Sequence, residues 1–178
     1  MKFHPLFYST SALFLLFCFN AFSMSSQEVK IPLLHAHDLN GKSWVLPHDL
    51  QAKKNLLLVA FKRQQQDSVS SWIDHLNLRS PKNKIAWLEI PLLQNPWKLV
   101  APWIDHGMRR GITEEELRAH VWTIYTNRSS FLKELSLPST KDIAILVVDK
   151  NGIILGKASG DYTKDKAQVI LNLLDTKP

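Results

Sequence analysis

Apolar and polar positions beyond residue 24 fall into short runs of two kinds. Asn55 to Phe61 (NLLLVAF) is an unbroken apolar run of strand length, the pattern of a strand buried on both faces. Ile85–Ile90 (IAWLEI), Val121–Tyr125 (VWTIY) and Ile143–Val148 (IAILVV) repeat it. Helical spacing lies between them. Val69, Trp72, Ile73 and Leu76 share one apolar face, with Asp67 or Ser68 as cap and Ser80-Pro81-Lys82-Asn83 as breaker. Asn95-Pro96 reads as a cap followed by proline at the first helical position. That helix carries Trp97, Leu99, Val100, Trp103 and Ile104, and Pro102 shortens or kinks it. His106 to Gly111 reads as a glycine-bounded basic loop. Thr113 with Glu116 is a capping box opening a short acidic helix to about His120. Ser129 or Ser130 opens a helix with Phe131, Leu132 and Leu135 inward. Thr163 caps a last one with Ala167, Ile170, Leu171 and Leu174 buried.

Two Asn-Gly turns mark hairpins, one in Asp38-Leu39-Asn40-Gly41-Lys42 and one in Asp149-Lys150-Asn151-Gly152. Trp44-Val45-Leu46 continues the first as a short strand. The alternation of strand and helix predicts an α/β layered fold, parallel in its first half and ending in a hairpin and a helix. No repeat, low-complexity tract or linker interrupts it.

The N-terminus has a different character. Leu6 to Phe22 is nearly all apolar, and Ala21-Phe22-Ser23 places small residues for cleavage before Met24. Residues 1–23 are therefore expected to be a signal peptide, with an uncleaved membrane anchor as the alternative. Residues 24–178 are expected to form a single domain. The protein is then periplasmic or secreted, or else anchored to the inner membrane facing the periplasm. Cys18, the only cysteine, lies inside that segment. The processed chain would have no disulfide, no cysteine metal ligand and no thiol nucleophile. The formal net charge of +6 suits an acidic protein partner or an anionic membrane surface, and equally a merely solvated surface. Nucleic acid is not an expected partner of an exported chain.

Three stretches resemble thioredoxin-like proteins. Asp38–Leu46 (DLNGKSWVL) resembles the opening hairpin of peroxiredoxins and periplasmic thiol-disulfide oxidoreductases, and NLLLVAF their central strand. Ile143–Leu174 resembles the final hairpin and helix, most of all those of the mitochondrial ATP-synthase assembly factor family. The resemblance implies a thioredoxin-like central mixed sheet flanked by helices. It also defines the departures. Counted from Phe61, the two redox cysteines of thioredoxins map onto Gln66 and Val69. Asp142-Ile143-Ala144 stand where redox members carry a cis-proline.

The loop Lys62–Asp67 occupies the redox edge in this alignment. Its cations and amides, Arg63, Gln66 and Asp67 among them, could take an anionic or peptide ligand at a helix N-terminus, or could be solvated. Trp103, His106, Arg109 and Arg110 combine an aromatic with clustered arginines, a composition favoured at binding hot spots and also compatible with a plain basic loop. His106 with Met108, and His35 with His37, give weak metal signals only. No metal or cofactor is predicted. No nucleophile elbow, phosphate loop or acid–base pair is evident, so no enzyme is predicted. The reading is a non-redox thioredoxin-like assembly or accessory factor that binds an envelope protein. Its surface would join Arg63, Gln66 and Asp67 to Trp103, His106, Arg109 and Arg110. A periplasmic module binding a small ligand or metal is the alternative, and an enzyme with non-thiol chemistry the third.

Overall fold

The computed structural model describes residues 28–175. The expected signal segment, its cleavage site and Cys18, and the side chain of Trp97, lie outside the described residues. Seven strands form one mixed sheet in the order β2-β1-β5-β4-β3-β6-β7. They are β1 (Leu34–Asp38), β2 (Ser43–Leu46), β3 (Lys54–Ala60), β4 (Trp87–Gln94), β5 (Trp122–Thr126), β6 (Ala144–Asp149) and β7 (Ile154–Ser159). β3, β4 and β5 run parallel, and β6 and β7 antiparallel. The β1–β2 hairpin adds antiparallel to β5. The helices are α1 (Gln66–His75), α2 (Ala101–Gly111), α3 (Glu115–Ala119), α4 (Arg128–Glu134) and α5 (Lys164–Leu173). This is the mixed, helix-flanked sheet that the alternation predicts. Among the described residues no helix is long and apolar enough to cross a membrane.

β3 is the pivot because every residue from Asn55 to Ala60 is buried. Its two faces feed two cores. Leu57 and Val59 join Leu34, Trp122 and Ile124 under Phe131 of α4. Leu56 and Leu58 face α1 through Val69, Trp72 and Ile73, and α5 through Ala167 and Ile170. Trp72 is fully buried, donates its Nε1–H to the Gly160 carbonyl at 2.9 Å, and meets Tyr162 edge-on.

Local chemistry moves several boundaries. Neither Asp67 nor Ser68 caps α1, which begins at Gln66 after a 3-10 turn, Arg63–Gln65. The Ser68 hydroxyl is directed instead to Asp161 Oδ1. β4 runs on from Trp87 through Pro91 to Gln94, because Pro91 lies opposite Ala60, where β3 ends. The expected basic loop His106–Gly111 is helical. Pro102 falls in the first turn of α2, where a missing N–H costs nothing, and starts the helix that it was expected to kink. Arg109 and Arg110 then sit in the last turn, where a cation complements the helix dipole. The Thr113–Glu116 box does not form, since α3 starts after Glu114 without a side-chain cap. Asn127, not a serine, caps α4 through the Ser130 N–H. Thr163 caps α5 as its sequence suggests.

Trp72→Ala should lower stability by about 3–5 kcal/mol, the range for emptying a fully packed tryptophan site. Urea unfolding followed by circular dichroism measures it, and a loss under about 1 kcal/mol would mean that α1 is not packed as described.

Candidate functional site

The loop after β3 is closed by one amide. Gln65 is 7% exposed. Its Oε1 accepts the Phe61 and Lys62 N–H groups at 2.7 and 3.1 Å, while its Nε2 donates to the Thr140 and Lys141 carbonyls at 3.0 and 2.9 Å. Every hydrogen-bonding position of the side chain is thus in use. It ties the end of β3 to the segment leading into β6. The cis peptide found among the described residues, Leu46–Pro47, belongs to the end of β2 instead.

Around that knot Arg63, Gln66 and Asp67 are exposed. Gln66 bears electrostatically on Glu89, a buried carboxyl on β4. Burial pushes the Glu89 carboxyl above its ordinary value, against the opposing pull of Gln66 and of the Arg79 guanidinium. Beside it His120 stacks on Trp87, ring centroids 4.5 Å apart, with its Nδ1 2.9 Å from the Trp87 carbonyl.

The second half of the expected site is on α2. The crossover leaves the C-terminal end of β4 and returns to the start of β5, and α2 lies within it. Arg109 and Arg110 are carried about 12–14 Å away from the first residue of α2, at 1.5 Å per residue. The arginine pair thus sits at the far end of α2 from Trp103, in the last turn. What lies at the Arg63 edge is the start of the crossover, where Leu99 is 91% and Trp103 83% exposed, with Val100 beside them. Trp103, His106 and Arg110 follow one another along the exposed face of α2.

The half-buried side of α2 carries Ala101, Ile104 and Met108, with Asp105 among them. None of its residues is buried. Asp105 Oδ1, Thr123 Oγ1 and Tyr125 Oη are shielded from solvent without a partner among the described residues. Burial raises the Asp105 pKa, while His37 and Arg109 oppose the rise. Tyr125 is pushed up to about 12, by burial first and the Asp105 charge second. Among the described residues no three His, Cys, Asp or Glu side chains gather as metal ligands.

Sequence reasoning passed over Gln65, Glu89, Asp105 and Tyr125. Glu89 left a signal, a lone charge inside the apolar run IAWLEI. Gln65 left none, being the middle of three glutamines.

Because the folded state favours the neutral Glu89 carboxyl, it binds more protons than the unfolded chain above the unfolded pKa. Stability should fall as pH rises from the ordinary glutamic value of 4.5 through the raised one. Glu89→Gln should then raise the melting temperature at pH 7 and leave it unchanged below that window. Identical pH profiles for the two proteins would mean that Glu89 ionises at no cost.

No protein-family model matches the sequence, and no curated protein does. Solved structures do. Yeast Sco1 superposes with a TM-score of 0.55 at 12% identity, covering 85% of this chain and 99% of that one. Copper-bound ScoI of Arabidopsis thaliana gives 0.54 at 8%, covering 83% and 98%. The exposed lipoprotein thioredoxin Etrx1 of Streptococcus pneumoniae TIGR4 gives 0.53 at 14%, covering 81% and 99%. The sheet order, the flanking helices and these superpositions together establish a thioredoxin-like fold, in a chain whose one cysteine is Cys18, outside the described residues.

Proposed function

We propose that the protein is a non-redox thioredoxin-like factor that works by binding another protein, as an assembly or accessory factor of the cell envelope. The observation that carries the reading is the exposed apolar stripe Leu99, Val100 and Trp103, beside an edge that Gln65 has closed to chemistry. Apolar side chains of that size, contiguous and exposed, mark interaction sites. Tryptophan and arginine are the residues that most often dominate binding energy. The Lys62–Asp67 loop follows β3 and the stripe follows β4, two paired parallel strands, so both stand at one end of the sheet.

The surface inferred here comprises Arg63, Gln66 and Asp67 with Leu99, Val100 and Trp103. His106, Arg109 and Arg110 extend it along α2. Thiol exchange is not part of the function, since no thiol stands in the loop. Copper, bound by the plant ScoI, does not fit this loop either. Amine, guanidinium, amide and a single carboxylate lack the soft sulfur donors that cuprous copper selects.

Crosslinking in intact cells, followed by affinity purification and mass spectrometry, tests the proposal. One dominant envelope complex is expected with the native protein. Leu99→Ser with Trp103→Ala should remove it, a loss of about 2 kcal/mol or more at a hot spot. The same exposed changes should alter stability by no more than about 0.5 kcal/mol. Arg109→Ala with Arg110→Ala should weaken recovery less. Recovery unchanged in the first variant would sink the surface. With no specific partner at all, the small-ligand reading takes precedence, to be followed by metal analysis of the purified protein.

A further inference from the structure

The opposite end of the sheet holds a second concavity of different chemistry. β3 pairs Lys54 with Asp149 there, about 20 Å from the Gln65 edge at roughly 3.3 Å per strand residue. A groove of about 580 Å³ opens at the β6–β7 turn, between Lys30, Leu33, Pro47, His48, Lys150 and Asn151. Its floor is apolar, with Ile31 and Pro47 buried and Leu33, 59% exposed, at the lip. Its rim is basic, since Lys30, His48 and Lys150 are all exposed.

These rim groups form no ion pair among the described residues, where Lys54–Asp175 and Arg79–Asp74 are the pairs present. The acids on the adjoining turns are already engaged. Asp149 Oδ1 accepts the Asn151 and Ile153 N–H groups, and its Oδ2 accepts from the Asn151 amide. Asp49 Oδ2 accepts the Val45 N–H. The rim lysines are therefore left without an ion-paired carboxylate among the described residues.

The walls are also fixed in advance. The Ile31 N–H donates to the Gly152 carbonyl at 2.9 Å and the Lys150 N–H to the Lys53 carbonyl at 3.2 Å. Gly152 has φ +86° and lies so close to Pro47 that a Cβ would stand 2.7 Å from the proline ring. Three chain segments are thereby locked around the groove, and little ordering cost remains for a ligand.

We propose that this groove seats the phosphate headgroup of an anionic membrane lipid. Lys30 and Lys150 face the phosphate, His48 lies beside it, and Leu33 meets the acyl boundary. A free phosphate would call for convergent backbone donors in a closed nest. The groove offers instead long-stemmed point charges over an apolar floor, with a leucine at the lip, which is the division of a headgroup from its hydrocarbon. The net charge of +6 favours an anionic surface. In sequence Lys30 stands eight residues after Phe22, where the N-terminal apolar run ends.

Hydrogen exchange of the full chain, mixed with vesicles, separates this site from any binding by the N-terminal run. Phosphatidylcholine vesicles with about 30% phosphatidylglycerol should slow the amides of Leu33, His48 and Asn151, and pure phosphatidylcholine should not. Lys30→Ala with Lys150→Ala should abolish the difference. Each lysine at an anionic surface contributes about fivefold in affinity, so the double change removes about 25-fold. Circular dichroism melting of the variant shows that its fold is retained. Protection confined to residues 99–110, or protection that survives the double change, would overturn the proposal. Equal protection of the groove by inorganic phosphate alone would overturn the lipid source.

Discussion

The Gln65 amide holds together three pieces of chain that would otherwise part. Phe61 and Lys62 leave β3 with N–H groups that no strand receives, and Gln65 accepts both. Thr140 and Lys141 approach β6 with carbonyls beyond the ladder, and Gln65 donates to both. Left unmade, each of these buried bonds would cost about 1–3 kcal/mol. One side chain thus fixes where β3 ends, where α1 begins and how the second half of the sheet returns beside the first. It makes the loop after β3 a structural joint between the two halves of the sheet.

Helix α2 shows the converse arrangement. α1 and α5 bury apolar residues against the sheet, while α2 buries none. Its half-buried face carries Ala101, Ile104 and Met108 beside Asp105, whose Oδ1 is unpartnered among the described residues, while Trp103 faces outward with Leu99 of the turn before it. A helix so placed gains little from the core and loses some stability to desolvated polar atoms. Such an element persists where its outer face has a use. The stability supplied by β3 and its two cores is what lets the molecule carry it.

The sequence made the scaffold legible because the scaffold rests on local rules. A doubly buried strand reads as an unbroken apolar run, and NLLLVAF became β3. The two Asn-Gly turns predict hairpins, and Gly41 and Gly152 adopt positive φ there. Failures came where tertiary contacts outweighed local signals. Ser68 looked like a cap, but Asp161, distant in sequence, takes its hydroxyl. The glycines around Arg109 and Arg110 looked like loop punctuation, yet the crossover needs a helix long enough to return to β5. The candidate site suffered most, since membership depends on which end of the sheet a residue reaches. Arg63 and Arg109 share chemistry in the sequence but belong to different connections in the fold, Arg63 to the turn after β3 and Arg109 to the end of α2.

The same geometry explains why restoring a thiol would not restore thiol chemistry. A reactive cysteine needs a lowered pKa, supplied by a cation or by free N–H groups at a helix start. Position 66 opens α1, but Gln66 there bears on the buried Glu89 carboxyl of β4. A thiolate there would lie near the Glu89 carboxyl, whose charge, once ionised, would disfavour it. The Phe61 and Lys62 N–H groups nearby are already taken by Gln65. Gln66→Cys should therefore have a thiol pKa at or above the ordinary value of about 8.5. Alkylation by iodoacetamide across a pH series reads that pKa directly. A value near 7 or lower would show that the edge still activates a nucleophile, and that its closure by Gln65 is less complete than the hydrogen bonds imply.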